Sequence, residues 1–140
     1  MLTIRPILLI MFVGMSLFSC KMQTSGNEES AIPISEDIQV YYFHNTKRCA
    51  TCNAVENETK FTLEMFYKDN MEAGTMEFTS LNLEEDDGRK MAQMLQVSGQ
   101  TLLVVKGETQ INLTNEGFMN ARTNPTKFHE ILIEQIDKLL

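Results

Sequence analysis

The stretch "YYFHNTKRCATCNAVE" sets Cys49 and Cys52 at Cys-x-x-Cys spacing, and these are the residues of the chain best suited to chemistry. A thiolate is both a nucleophile and a soft-metal ligand. Two of them a helical turn apart can attack a disulfide and then displace the adduct, hold a metal, or close into a short structural bridge. Lys47 and Arg48 bring positive charge beside Cys49, which favours its thiolate form. His44, just upstream, is a possible auxiliary base or ligand. A structural zinc centre needs four ligands, and beyond the pair the chain offers only His44 and His129, so no metal centre is assigned. Capture of a soft ion such as copper(I) or arsenite by the two thiolates, with or without His44, stays open. A bridge between Cys49 and Cys52 encloses so short a loop that it removes little unfolded-state entropy, which makes a purely structural staple the weaker reading.

The compartment narrows these options. Residues 1–19 carry Arg5, an apolar run and then small residues, the pattern of a secretory signal. Gly14, Ser16 and Ser19 interrupt the run, and it is too short to span a membrane. Its ending, "LFSC", resembles a bacterial lipobox, which implies cleavage before Cys20 and lipid on that thiol, a bilayer anchor without a spanning helix. The polar segment 20–37, rich in Ser, Gly, Asn and Glu, reads as a lipidated flexible tether that keeps the domain near its membrane. With Cys20 assigned to lipid, Cys49 and Cys52 are left alone among the three cysteines, outside the cytoplasm, where disulfides persist. The net charge of −7 and the absence of clustered Lys and Arg exclude nucleic acid as an expected partner.

Residues 38–140 carry the elements that must position the pair. "IQVYYFHN" is β-branched, aromatic and almost continuously apolar, as in a strand covered on both faces. A helix is expected from Cys49 to a stop near Gly74, with ragged periodicity and a possible kink around Thr59 to Thr62. "TMEFTSLNLEE" alternates like a second strand. "DDGRKMAQMLQV" is a helix opened by Asp86 and Asp87. "QTLLVVKG" and "ETQINL" read as a hairpin, "TNEGFMNARTN" as a loop with Phe118 and Met119 available to a partner, and Pro125 opens a last helix. The resulting order, β-α-β-α-β-β-α, describes an α/β domain with a four-stranded mixed sheet flanked by helices.

A Cys-x-x-Cys at the junction of a buried strand and the helix of a β-α-β unit reads as redox-active. The helix N-terminus stabilises a thiolate at Cys49, and Cys52, one turn in, lies on the same side. These elements together resemble the thioredoxin-like fold over about residues 38–140. More narrowly, "VYYFHNTKRCATCNAVE" and the later "INLTNEGFMNAR" resemble a bacterial thioredoxin-like family known as the nitrophenyl compound nitroreductase subunit, ArsF type, linked with arsenic-resistance gene neighbourhoods. What the resemblance implies, residue by residue, is Cys49 as attacking thiol and Cys52 as resolving thiol, exchanging with extracytoplasmic protein thiols or disulfides. Nitro reduction normally uses a flavin or similar cofactor. The chain has no Gly-rich dinucleotide fingerprint, and no cofactor is expected.

Two positions depart from the thioredoxin pattern. Phe43 stands where a buried Asp usually takes the proton of the resolving thiol, and strand alternation points His44 to the other face. Gln100 and Thr101 stand where a cis-proline is expected before the third strand. "LEEDDGR" lacks the ligand spacing of a calcium loop, and the helical methionines read as core filler.

Overall fold

The computed structural model describes residues 35–140; the signal segment, Cys20 and the tether up to residue 34 lie outside the described residues. The first strand, β1 (Ile38–His44), is buried at every position but one, as its unbroken apolar run predicts. It pairs in parallel with β2 (Met76–Asn82), Val40 opposite Phe78 and His44 opposite Asn82. On its other edge it pairs antiparallel with β3 (Thr101–Lys106), Tyr42 opposite Leu102. The hairpin partner of β3 is β4 (Thr109–Asn112), giving the order β2-β1-β3-β4. In the turn of that hairpin the Gly107 N–H donates to the Ser35 carbonyl at 2.7 Å, fixing where the chain enters the domain.

The expected helix after β1 is α1 (Ala50–Phe66), and it runs unbroken through the ragged region. Thr59 and Thr62 are fully buried there, and their hydroxyls donate to the carbonyls of Val55 and Glu58, both at 2.7 Å. Bonding within the helix satisfies the two polar groups, so positions that look like a kink behave as core positions. The chain breaks instead at Tyr67, and a short α2 (Lys68–Glu72) follows.

α3 (Asp86–Met94) crosses one face of the sheet, with Asp86 and Asp87 in its first turn. It approaches β2 closely at Gly88, where a Cβ would lie 2.0 Å from the Asn82 carbonyl oxygen, so only glycine fits. The stretch expected as a loop contains α4 (Thr114–Asn120). Seven residues that include Gly117 and Asn120 are too few to show a helical period. Gly117 is buried against Val55 and Phe128. Phe118 packs against the core, while Met119 is exposed. α5 (Pro125–Asp137) begins at Pro125 as predicted, and the Asn124 side chain caps it by accepting from the Lys127 N–H.

Two cores result, one on each face. The larger gathers Ile38, Val40 and Tyr42 with Val55, Leu63, Phe128, Leu132 and Ile136, under α1, α4 and α5. The smaller packs Tyr41, Phe43, Leu103 and Val105 against Ala92 and Leu95 of α3 and its C-cap. The domain is thus an α/β fold, a four-stranded mixed sheet flanked by helices, compatible with the thioredoxin-like class. Among the described residues no helix is long and apolar enough to cross a membrane.

Candidate active site

β1 delivers the chain to the start of α1 through a short loop, and Cys49 becomes the N-cap of that helix. Its sulfur accepts from the Cys52 N–H at 3.2 Å, taking the place a Ser or Asp oxygen takes at an ordinary N-cap. Cys49 is exposed and Cys52 is buried. The same turn of helix therefore holds one thiol that a partner can reach and one that it cannot.

Their acidities diverge as well. The Cys49 thiol is held below the ordinary thiol value, first by a hydrogen bond from the Cys52 thiol and then by the N–H groups of Cys52 and Thr51, against a small opposing effect of burial. Cys52 is pushed up, first by burial and next by the neighbouring Cys49. This is the distribution that a nucleophile and a resolving thiol need.

The wall around Cys52 is built from two other segments. Tyr42, buried in β1, donates its hydroxyl to the Cys52 carbonyl at 3.0 Å. Burial, followed by the charge of Cys52, pushes the Tyr42 phenol up, so it stays protonated as a donor. From the loop before β3, Gln100 presents its Oε1 to the Cys52 thiol at 3.1 Å. That loop turns at Gly99, whose φ of +102° suits glycine, and Thr101 Oγ1 donates back to the Gly99 carbonyl.

Arg48 and Lys47 are placed differently from each other. Arg48 forms an ion pair with Glu56, a buried carboxylate in α1, and also donates to Ser80 Oγ at 3.4 Å. Lys60 completes the network by bonding Glu56 Oε1 at 2.8 Å, with its ammonium over the Phe78 ring. Burial alone raises the Glu56 carboxyl, and the hydrogen bonds from Lys60, Ser80 and Arg48 with the Arg48 charge reverse that, so it ends below the usual carboxylate range. The Arg48 guanidinium faces the Glu56 carboxylate, and the groups that lower Cys49 are the Cys52 thiol and backbone N–H groups. Lys47 stays exposed on the loop.

His44 lies on the α1 side of β1, its ring 6.0 Å from that of Tyr42, and its Nδ1 donates to the Asn45 carbonyl at 3.0 Å. It is brought next to the tyrosine that braces Cys52 and makes no described bond to either sulfur. Phe43 points the opposite way, into the apolar cluster under α3. Among the described residues there is no group of three or more His, Cys, Asp or Glu side chains arranged to hold a metal ion.

Sequence reasoning missed the roles of Tyr42, Glu56 and Gln100. Tyr42 reads as one more apolar residue of a buried strand. Glu56 is signalled only by its place on the Cys52 side of the helix, one turn on. Gln100 stands out in the sequence as the residue near a missing proline, without any sign of where its side chain goes.

No protein-family model matches the chain, and no curated protein matches it. Among solved structures it is similar to a malarial protein, at 19% identity and a TM-score of 0.50, over 74% of this chain and 98% of that one. At that identity the likeness is one of fold.

Proposed function

We propose that this protein is a thiol–disulfide oxidoreductase, held at the membrane through lipid on Cys20 and working on extracytoplasmic protein thiols or disulfides. The observation that carries the reading is the asymmetry within one helical turn: Cys49 exposed, capping α1 and acidified, and Cys52 buried with its N–H on the Cys49 sulfur. The resemblance to the ArsF-type thioredoxin-like family supports the same two roles.

In the reducing direction the Cys49 thiolate attacks one sulfur of a partner disulfide, and the partner's other sulfur leaves as a thiolate. Cys52 then loses its proton and attacks the Cys49 sulfur, which forms the Cys49–Cys52 bond and releases the partner's second thiolate. The partner gains two electrons and two protons as a dithiol, and this protein is left oxidised. The oxidising direction is the same sequence reversed.

The test is reduction of insulin disulfides by the full chain, with dithiothreitol to regenerate it. Turnover should vanish in Cys49→Ser, whereas Cys52→Ser should stop at a covalent adduct on Cys49. Arsenite offers the competing outcome. Stoichiometric arsenite binding by the reduced pair, with no exchange in a glutathione buffer, would falsify the oxidoreductase reading and leave a binding module.

A further inference from the structure

We infer that Gln100 is a redox-tuning residue, whose side-chain amide binds the Cys52 thiol only in the reduced protein and so biases the pair towards the dithiol. The inference rests on the exchange chemistry proposed above for Cys49 and Cys52. It is carried by the geometry of the loop before β3: Gln100 Oε1 lies 3.1 Å from the Cys52 sulfur, across a sequence separation of 48 residues. A thiol can donate to that oxygen. A disulfide sulfur has no proton and cannot.

The surroundings make the contact specific. Cys52 is 3% exposed, so its thiol proton has few acceptors in reach, namely the Cys49 sulfur and Gln100 Oε1. When Cys49 is capped in a mixed disulfide, the amide is the acceptor that remains. The loop is held from both sides: Thr101 bonds back to Gly99 and pairs with Phe43 of β1, and the next residue, Leu102, donates its N–H to Thr114 Oγ1 at 3.1 Å. Gln100 itself makes no other described side-chain hydrogen bond. Gln100 Oε1 and the Cys49 sulfur share the one Cys52 thiol proton, and the bond to Gln100 exists in the dithiol and not in the disulfide.

Reducing the Cys49–Cys52 bond with glutathione oxidises two glutathione thiols to one glutathione disulfide and leaves two protein thiols. Any bond made only by the dithiol shifts that equilibrium towards it. A neutral hydrogen bond of ordinary strength corresponds to roughly fivefold in the equilibrium constant, or about 20 mV at 29.6 mV per tenfold.

The experiment is equilibration of the full chain in detergent against glutathione buffers, with Cys20→Ser in every sample so that one pair titrates. Gln100→Leu and Gln100→Met, the second unbranched and close in length to Gln, are compared with the unchanged pair, with folding checked by circular dichroism. The expected result is a shift towards the disulfide of about fivefold in both. A shift below twofold, or one towards the dithiol, overturns the inference. Loss of folding in both variants also overturns it, because the contact would then be structural and not redox-specific. If the unchanged protein itself forms no Cys49–Cys52 disulfide in any buffer, the oxidoreductase reading fails first, which separates the two failures.

Discussion

On one face of β1, Tyr42 and His44 lie beneath the start of α1 beside a network of Arg48, Glu56, Lys60 and Ser80. On the other face, Tyr41 and Phe43 pack into an apolar cluster of Leu, Val, Met and Ala side chains around α3. Both faces are buried, yet the polar chemistry is confined to one. The position where thioredoxins keep a buried acid falls on the apolar face here, and the groups that touch Cys52 or its backbone, Tyr42 and Gln100, come from elsewhere. The lesson concerns alternation. A one-residue difference along a strand decides whether a side chain joins the site or the opposite core.

The sharpest way to break that comparison is to put the acid back. Phe43→Asp removes a fully buried ring and leaves a carboxyl among apolar side chains with no partner. The expected cost is at least about 4 kcal/mol by urea denaturation, with no gain in exchange rate. A stable variant that exchanges faster would mean that position 43 does reach Cys52. Gly88→Ala probes how the apolar face is closed. Its Cβ would overlap the Asn82 carbonyl, so α3 must move off β2, for about 3 kcal/mol of destabilisation where an exposed helical Gly→Ala change would stabilise.

The polar face answers to acid through Glu56. Glu56→Gln breaks a buried ion pair, but Arg48 and Lys60 keep 22% and 46% of their side chains exposed, so the loss at neutral pH is expected near 2 kcal/mol instead of the larger cost of a sealed pair. The folded-state carboxyl lies below its unfolded value, near about 4.3. Its contribution is therefore full above that value and is lost as pH falls through the folded one. Urea midpoints of the two proteins should differ at about pH 7 and converge on acidification towards about pH 3. A gap that persists in acid would show that Glu56 acts through packing and not charge.

Much of this architecture was legible in the chain. Continuous apolar runs marked β1 and β3, alternation marked β2, and Pro125 marked the start of α5, because each signal follows from one local periodicity. The Cys-x-x-Cys pair was legible for the same reason: its spacing is local. What stayed hidden depends on long-range geometry. Thr59 and Thr62 look like breaks because hydroxyls bonding within their own helix leave no mark in the residue pattern. α4 is too short to show a period. Gln100 and Cys52 meet only once β3 is laid beside β1, and Arg48 looks like a free cation until the fold supplies Glu56.

That last pair sets the finest test, which asks what makes Cys49 acidic. If charge on the loop were responsible, Arg48→Met would raise the pH midpoint of Cys49 alkylation more than any other single change. The geometry predicts the reverse order. The largest influence on Cys49 is the hydrogen bond from the Cys52 thiol, followed by the N–H groups at the start of α1. Cys52→Ala removes the first and leaves the second, so the iodoacetamide midpoint should rise yet remain below that of a free cysteine. Arg48→Met should move it less, because the guanidinium charge faces the Glu56 carboxylate, whose opposite charge offsets part of its field. A larger shift from Arg48→Met than from Cys52→Ala would return the tuning role to the loop cations and reduce Cys52 to a resolving thiol alone.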